Sequence, residues 1–142
     1  MIECDSEMIE SIRAHGRSTY PNECCGVLLG AEQAGVKQAR EIVALDNTRE
    51  EEARHNRFLI APEDLLRVEK ESRQRGLDIL GFYHSHPDAE ARPSRFDLEH
   101  AWPWYSYIII SVRLGQDQDI TSWVMREDRS MFDTEKIVMR NC

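Results

Sequence analysis

The stretch Ile79-Leu80-Gly81-Phe82-Tyr83-His84-Ser85-His86-Pro87 restricts the fold more than any other in the chain. An apolar run of this length, marked by glycine and closed by proline, reads as a buried strand. Strand side chains alternate between faces, so His84 and His86 project to one side, together with Leu80 and Phe82. Two imidazoles on one face of a strand end are able to hold a metal ion between them. A short loop follows, then Pro93-Ser94-Arg95-Phe96-Asp97, and Asp97 is available to return as a third ligand. Two neutral nitrogens and one carboxylate suit zinc. Three protein ligands leave the fourth tetrahedral position to water, which separates a catalytic zinc from a structural one. Plainer readings exist. Paired strand histidines are common as surface or core residues, and Ser94-x-x-Asp97 is also a helix capping box. The two readings are compatible, because a cap that orients the first helical turn also fixes where Asp97 points.

A carboxylate far upstream completes a pattern. Glu23 lies in Pro21-Asn22-Glu23-Cys24-Cys25-Gly26-Val27-Leu28-Leu29-Gly30, and seven residues separate His86 from Ser94. The set Glu23, His84-Ser85-His86-Pro87, Ser94 and Asp97 resembles the JAMM motif of the JAMM/MPN-plus zinc peptidases, and the order of the flanking elements extends the likeness to nearly the whole chain. The resemblance implies an α/β fold, a single MPN (JAMM, cytidine-deaminase-like) domain over 1–142 with a curved, mostly antiparallel sheet flanked by helices. It implies one catalytic zinc on His84, His86 and Asp97. Glu23 is then the general base, bonded to water without being a ligand, and Ser94 offers a hydroxyl to the oxyanion of an attacked amide. Hydrolysis would pass through no acyl-enzyme, leaving Cys24 and Cys25 dispensable.

The substrate class also comes from the resemblance. It is an amide bond at the C-terminal diglycine of a ubiquitin-like or sulfur-carrier protein. The chain lacks room for the long insertions of the eukaryotic deubiquitinating relatives and looks more like the compact bacterial members. A deubiquitinase-like isopeptidase, a general peptidase such as a cell-wall module, and a metal-free MPN scaffold that binds partner proteins stay open as alternatives. No oligomeric state is read from the sequence.

Bulk properties narrow the partners. A formal net charge of −8 over 142 residues argues against binding a phosphate backbone, hence no nucleic acid. Cys4, Cys24, Cys25 and Cys142 show no paired C-x-x-C spacing, which fits a reduced interior better than a disulfide scaffold. Glu3 and Asp5 stand where a signal peptide would carry positive charge, and no apolar run is long enough to span a bilayer. A soluble, cytoplasmic protein with no membrane partner is expected.

In chain order, a helix is expected over about 5–15, ended by Gly16. Strands follow at Cys25–Leu29, closed by Gly30, and at Val36–Leu45. Asp46–Arg57 reads as a mobile charged loop in which His55 is a solvated histidine or an extra ligand, and Phe58-Leu59-Ile60 as a short strand. Pro62 opens a helix with Leu65, Leu66 and Val68 on its buried side, ended by Gly76. Ser94 to about Trp102 forms the helix carrying Asp97, stopped by Pro103, with His100 on the same helical side. Trp102, Trp104 and Tyr105 read as core packing, with a substrate-groove wall as the other option. Tyr107–Val112 lies beside the histidine strand, Gly115–Asp119 turns, Ile120–Met125 returns antiparallel, and Lys136–Met139 adds an edge.

Overall fold

The structure, a computed structural model, describes residues 1–47 and 60–140. The expected loop after Asn47, His55, and Phe58 and Leu59 of the expected short strand therefore lie outside the described residues; Ile60 is not in a strand.

The described elements are, in order, β1 (Ile2–Asp5), α1 (Ser6–Thr19), β2 (Cys25–Gln33), β3 (Val36–Leu45), α2 (Pro62–Gln74), β4 (Asp78–Pro87), α3 (Arg95–His100), β5 (Ser106–Arg113), β6 (Gln116–Met125), β7 (Phe132–Glu135) and β8 (Ile137–Arg140). The strands form one sheet in the order β7-β6-β5-β4-β2-β3-β1-β8. Most pairings are antiparallel, while β4–β5, β1–β3 and β1–β8 are parallel. The two edge strands β7 and β8 are separated in the chain by Lys136 alone. Two peptide links span at most about 7 Å, so the sheet must curl until its edges meet. The Ile2 amide donates to the Lys136 carbonyl across that seam at 2.9 Å.

Both faces of the sheet are covered. In β2, Leu28 and the preceding Cys24 face the cluster of Ile9, Ile12, Leu80, Tyr83, Ile108 and Ile110 beneath α1. Cys25, Val27 and Leu29 face the opposite cluster with Val68 of α2. Fully burying a side chain such as Ile12, Leu28 or Ile108 contributes about 1.5–3 kcal/mol, so the α1 face is a main source of stability.

Several expectations need correction. Gly16 does not end α1 but sits buried within it. A Cβ there would meet Val112 Cγ2 at 3.1 Å, so glycine allows the helix to approach the sheet closely. That approach offsets the helix-interior cost of glycine, about 0.5–1 kcal/mol relative to alanine. Likewise β2 runs through Gly30, where a Cβ would overlap the Gln38 carbonyl. Leu66 is 67% exposed and Ser72 takes its place on the buried side of α2. The turn expected at Gly115–Asp119 is only Leu114-Gly115, both at positive φ, as a two-residue hairpin requires. The C-terminal edge strand β8 was anticipated, but β1 and β7 were not. No described helix is long and apolar enough to cross a membrane.

Candidate metal centre

β4 closes on His84, Ser85, His86 and Pro87, and the alternation holds over that end. A register shift between Leu28 and Leu29 opposite Gly81 and Ile79 leaves Leu80 as a bulge. Leu80 therefore packs with Tyr83 on the α1 side, contrary to the simple alternation, while Phe82 packs on the other side with Val68 and Tyr107. His84 and His86 are both buried, their ring centroids 4.9 Å apart.

The third group comes from α3. Ser94 is its N-cap: the Asp97 amide donates to Ser94 Oγ at 3.1 Å, and the Ser94 amide donates to Asp97 Oδ2 at 2.8 Å, a complete capping box. The cap aims Asp97 at the histidines. His84 Nε2 and His86 Nε2 are 3.1 Å apart, and each lies 3.2 Å from Asp97 Oδ2. Glu23 arrives from the segment before β2 and is also buried. Its carboxylate and a ring nitrogen of each histidine all lie within 4.8 Å of one another. Glu23, His84 and His86 thus form a possible metal-binding triad, with Asp97 against the two rings. Ser94 is solvent-exposed at the rim.

The donor chemistry fits a divalent cation. His86 Nδ1–H donates to the Glu90 carbonyl at 2.9 Å, which leaves Nε2 as a lone pair in the neutral ring. Burial pushes the His84 pKa down, against the opposing pull of Asp97, and so favours its neutral form. For Asp97, burial alone would raise the carboxyl pKa. The neighbouring His84, the bonds to both histidines and the Ser94 amide outweigh it and hold the carboxyl well below the usual carboxylate range. The resulting set is two imidazoles and one carboxylate. His84 Nε2, His86 Nε2 and Asp97 Oδ2 crowd within 3.2 Å of one another, and each can offer a lone pair to one point. A cation placed there is held by all three. Zinc bonds of about 2.0–2.2 Å in tetrahedral array place ligand atoms roughly 3.3–3.5 Å apart, close to the separations found.

Supporting contacts were not legible in the sequence. The loop after β4 is held by Ser111 Oγ donating to the Ala89 carbonyl at 2.5 Å and Thr121 Oγ1 donating to the Ala91 carbonyl at 2.6 Å. Both bonds steady the Glu90 carbonyl that orients His86, and a main-chain acceptor leaves no residue-type signal. His100 is exposed, stacked on Phe96 and bonded to its carbonyl, away from the centre. Cys24 and Cys25 are buried on opposite faces; Cys25, directly across from His84, sets its thiol against the Leu45 and Asp46 carbonyls at 3.7 Å. Of the aromatic cluster, Tyr105 packs against the core of Tyr107, Met125 and Phe132, whereas the two tryptophans do not join it. Trp102 is 63% and Trp104 41% exposed. With Tyr105, Phe82 and Leu65 they line a groove of about 670 Å³.

Residues 5–126 match the family described as prokaryotic homologs of the JAB domain. A desampylase of Haloferax volcanii is 35% identical over 107 residues, covering 72% of this chain and 74% of its own. The CysO-cysteine peptidase of Mycobacterium tuberculosis is 27% identical over 119 residues, covering 83% of this chain and 78% of its own. Among solved structures, a protein of Desulfitobacterium hafniense matches with a TM-score of 0.86 and 32% identity, over 99% of this chain and 94% of that one. A JAB1/MPN domain protein of Archaeoglobus fulgidus, with a TM-score of 0.60 and 16% identity over 99% of this chain and 97% of its own, shares the fold.

Proposed function

The chain belongs to the prokaryotic homologs of the JAB domain, and from that premise we propose that it is a zinc peptidase cutting the amide bond after the C-terminal diglycine of a sulfur-carrier or ubiquitin-like protein. The observation that carries the reading is the convergence of His84 Nε2, His86 Nε2 and Asp97 Oδ2 at 3.1–3.2 Å with the Glu23 carboxylate beside them. The names of the similar proteins, a desampylase and a CysO-cysteine peptidase, support a hydrolase and the substrate class.

In this reading His84, His86 and Asp97 hold the zinc. When bound, the ion supplies Lewis-acid activation of water and of the scissile carbonyl. Glu23 takes the proton of the attacking water and returns it to the leaving amine, a role worth about 10²–10⁴ in rate. Its burial keeps bulk water from competing for that proton. Ser94 Oγ accepts the Asp97 amide, which leaves its hydroxyl hydrogen to donate to the carbonyl oxygen as negative charge develops there. Phe82 lies two residues before His84 on the same strand face, so the groove it lines with Trp102 and Tyr105 offers an extended tail an apolar approach to the centre. Cys24 and Cys25 take no part: burial pushes their thiol pKa values up to about 11 and about 12, so neither supplies a thiolate near neutrality.

The test is to incubate zinc-loaded protein with diglycine-terminated carrier proteins bearing a C-terminal cysteine or a short extension, and to read the products by mass spectrometry. Release of the residues after the second glycine is expected. Intact carriers, or cleavage elsewhere, would reject the substrate assignment.

A further inference from the structure

Ser85 stands between the two histidines of β4 but points the other way. Its side chain lies on the α1 face and is fully buried, and a Cβ built on Gly16 would come within 3.7 Å of its Cβ. There its Oγ accepts the amide of Cys24 at 2.8 Å. Its own amide donates to the Cys24 carbonyl at 3.2 Å. One residue thus holds both backbone polar groups of Cys24, and the next residue up the chain is Glu23.

The arrangement departs from an ordinary ladder. The register of β2 against β4 ends at Cys25 opposite His84, which leaves Cys24 opposite Ser85. A hydrogen-bonded antiparallel pair exchanges two backbone bonds. Here one is made, and the hydroxyl of Ser85 stands in for the strand carbonyl in the other. The side chain of Ser85 thus takes over the Cys24 amide where the β2–β4 ladder ends. The Asn47 side chain donates to the Glu23 carbonyl at 3.3 Å on the far side of the same turn.

We propose that Ser85 is a positioning residue whose hydroxyl sets the angle at which the chain leaves β2 and so holds the Glu23 carboxylate over the two histidines. The inference rests on reading Glu23 as the base of the reaction. Alanine at Ser85 leaves the Cys24 amide buried without that acceptor, and the local chain relaxes. His86 keeps its bond to the Glu90 carbonyl, Asp97 keeps the α3 cap, and His84 keeps its contact with both. The consequence is a displaced base beside an intact cation site.

The experiment compares Ser85→Ala, Ser85→Thr and Ser85→Cys in the full chain by zinc affinity, by kcat and KM on the cleaved carrier, and by hydrogen exchange of the Cys24 amide. Ser85→Ala is expected to bind zinc as the wild type does, to keep KM, and to lose about 10²-fold in kcat, the usual scale for a misplaced group. Its Cys24 amide should exchange faster while amides within β2 stay protected. Threonine keeps the hydroxyl and is expected to restore both kcat and protection. Cysteine, of similar shape but a weak acceptor, is expected to behave like alanine and carries the test should alanine fail to fold. Full kcat in the alanine or cysteine variant overturns the inference, as does loss of zinc in step with rate. A wild-type chain that cleaves nothing overturns instead the reading of Glu23 on which it rests.

Discussion

The molecule contains two buried polar clusters on the same curved sheet, and they are built on opposite principles. One joins Lys37 of β3, Ser106 of β5, Ser122 of β6 and Glu135 of β7. Lys37 Nζ donates to the Trp104 carbonyl and, at 3.0 Å, to Ser106 Oγ. The hydroxyls of Ser106 and Ser122 donate to Glu135 Oε1 at 2.6 and 2.8 Å, and the Met1 ammonium lies 3.6 Å from Glu135 Oε2. Every donor ends on an acceptor, and the carboxylate is matched by cations of the chain itself. The other cluster gathers His84 Nε2, His86 Nε2, Asp97 Oδ2 and the Glu23 carboxylate, groups of metal-ligand type aimed at one point. A cluster that completes its own donor–acceptor pairing holds the fold together. One that aims several ligand-type side chains at one point is suited to an added cation.

The contrast gives graded expectations. Glu23→Gln should show the largest change, a loss of about 10²–10⁴ in kcat, with zinc content and melting temperature close to wild type. If turnover survives, Glu23 is not the base. Stripping the metal with a chelator should come next. A site binding only the folded chain stabilises it by about 4 kcal/mol at roughly a thousandfold excess of zinc over Kd, so urea midpoints should fall on chelation and recover with zinc. Lys37→Met should cost about 1–3 kcal/mol by leaving the Trp104 carbonyl and Ser106 Oγ without their donor in the interior. Zinc affinity should not follow it. A midpoint shift on chelation that vanishes in Lys37→Met would mean that the two clusters are one cooperative unit.

The placing of the two histidines and Asp97 was largely legible in the sequence, because its geometry is local. Strand alternation places His84 and His86 together, and the box from Ser94 to Asp97 fixes the carboxylate. Glu23 was not legible in that way. Nothing in its neighbourhood marks it, and only the resemblance singled it out. The self-satisfied cluster was missed altogether, since Lys37 in a charged strand reads as a wet residue. Its one signal is that it shares the strand face of Ala39, and both are buried. Length explains other gaps. β1 and β7 have four residues each, too few to show a period. The bulge at Leu80 and the close approach at Gly16 are set by neighbours distant in sequence. For Trp102 and Trp104 the sequence leaves core packing and a groove wall both open, and burial by neighbours distant in sequence decides for the groove.

The smallest effect is expected at the cysteines. Cys24→Ala with Cys25→Ala should leave kcat unchanged, and neither thiol of the folded wild type should react with iodoacetamide at neutral pH. Complete loss of rate in a folded double variant would point to thiol chemistry.

The most direct measurement is the zinc content of carefully purified protein beside that of His84→Ala. One ion per wild-type chain is expected, with none in the variant while Lys37→Met retains its own. A wild-type chain that takes up no zinc when offered it, or a His84→Ala chain that binds it equally well, would contradict the assignment of the acceptor cluster as a metal centre.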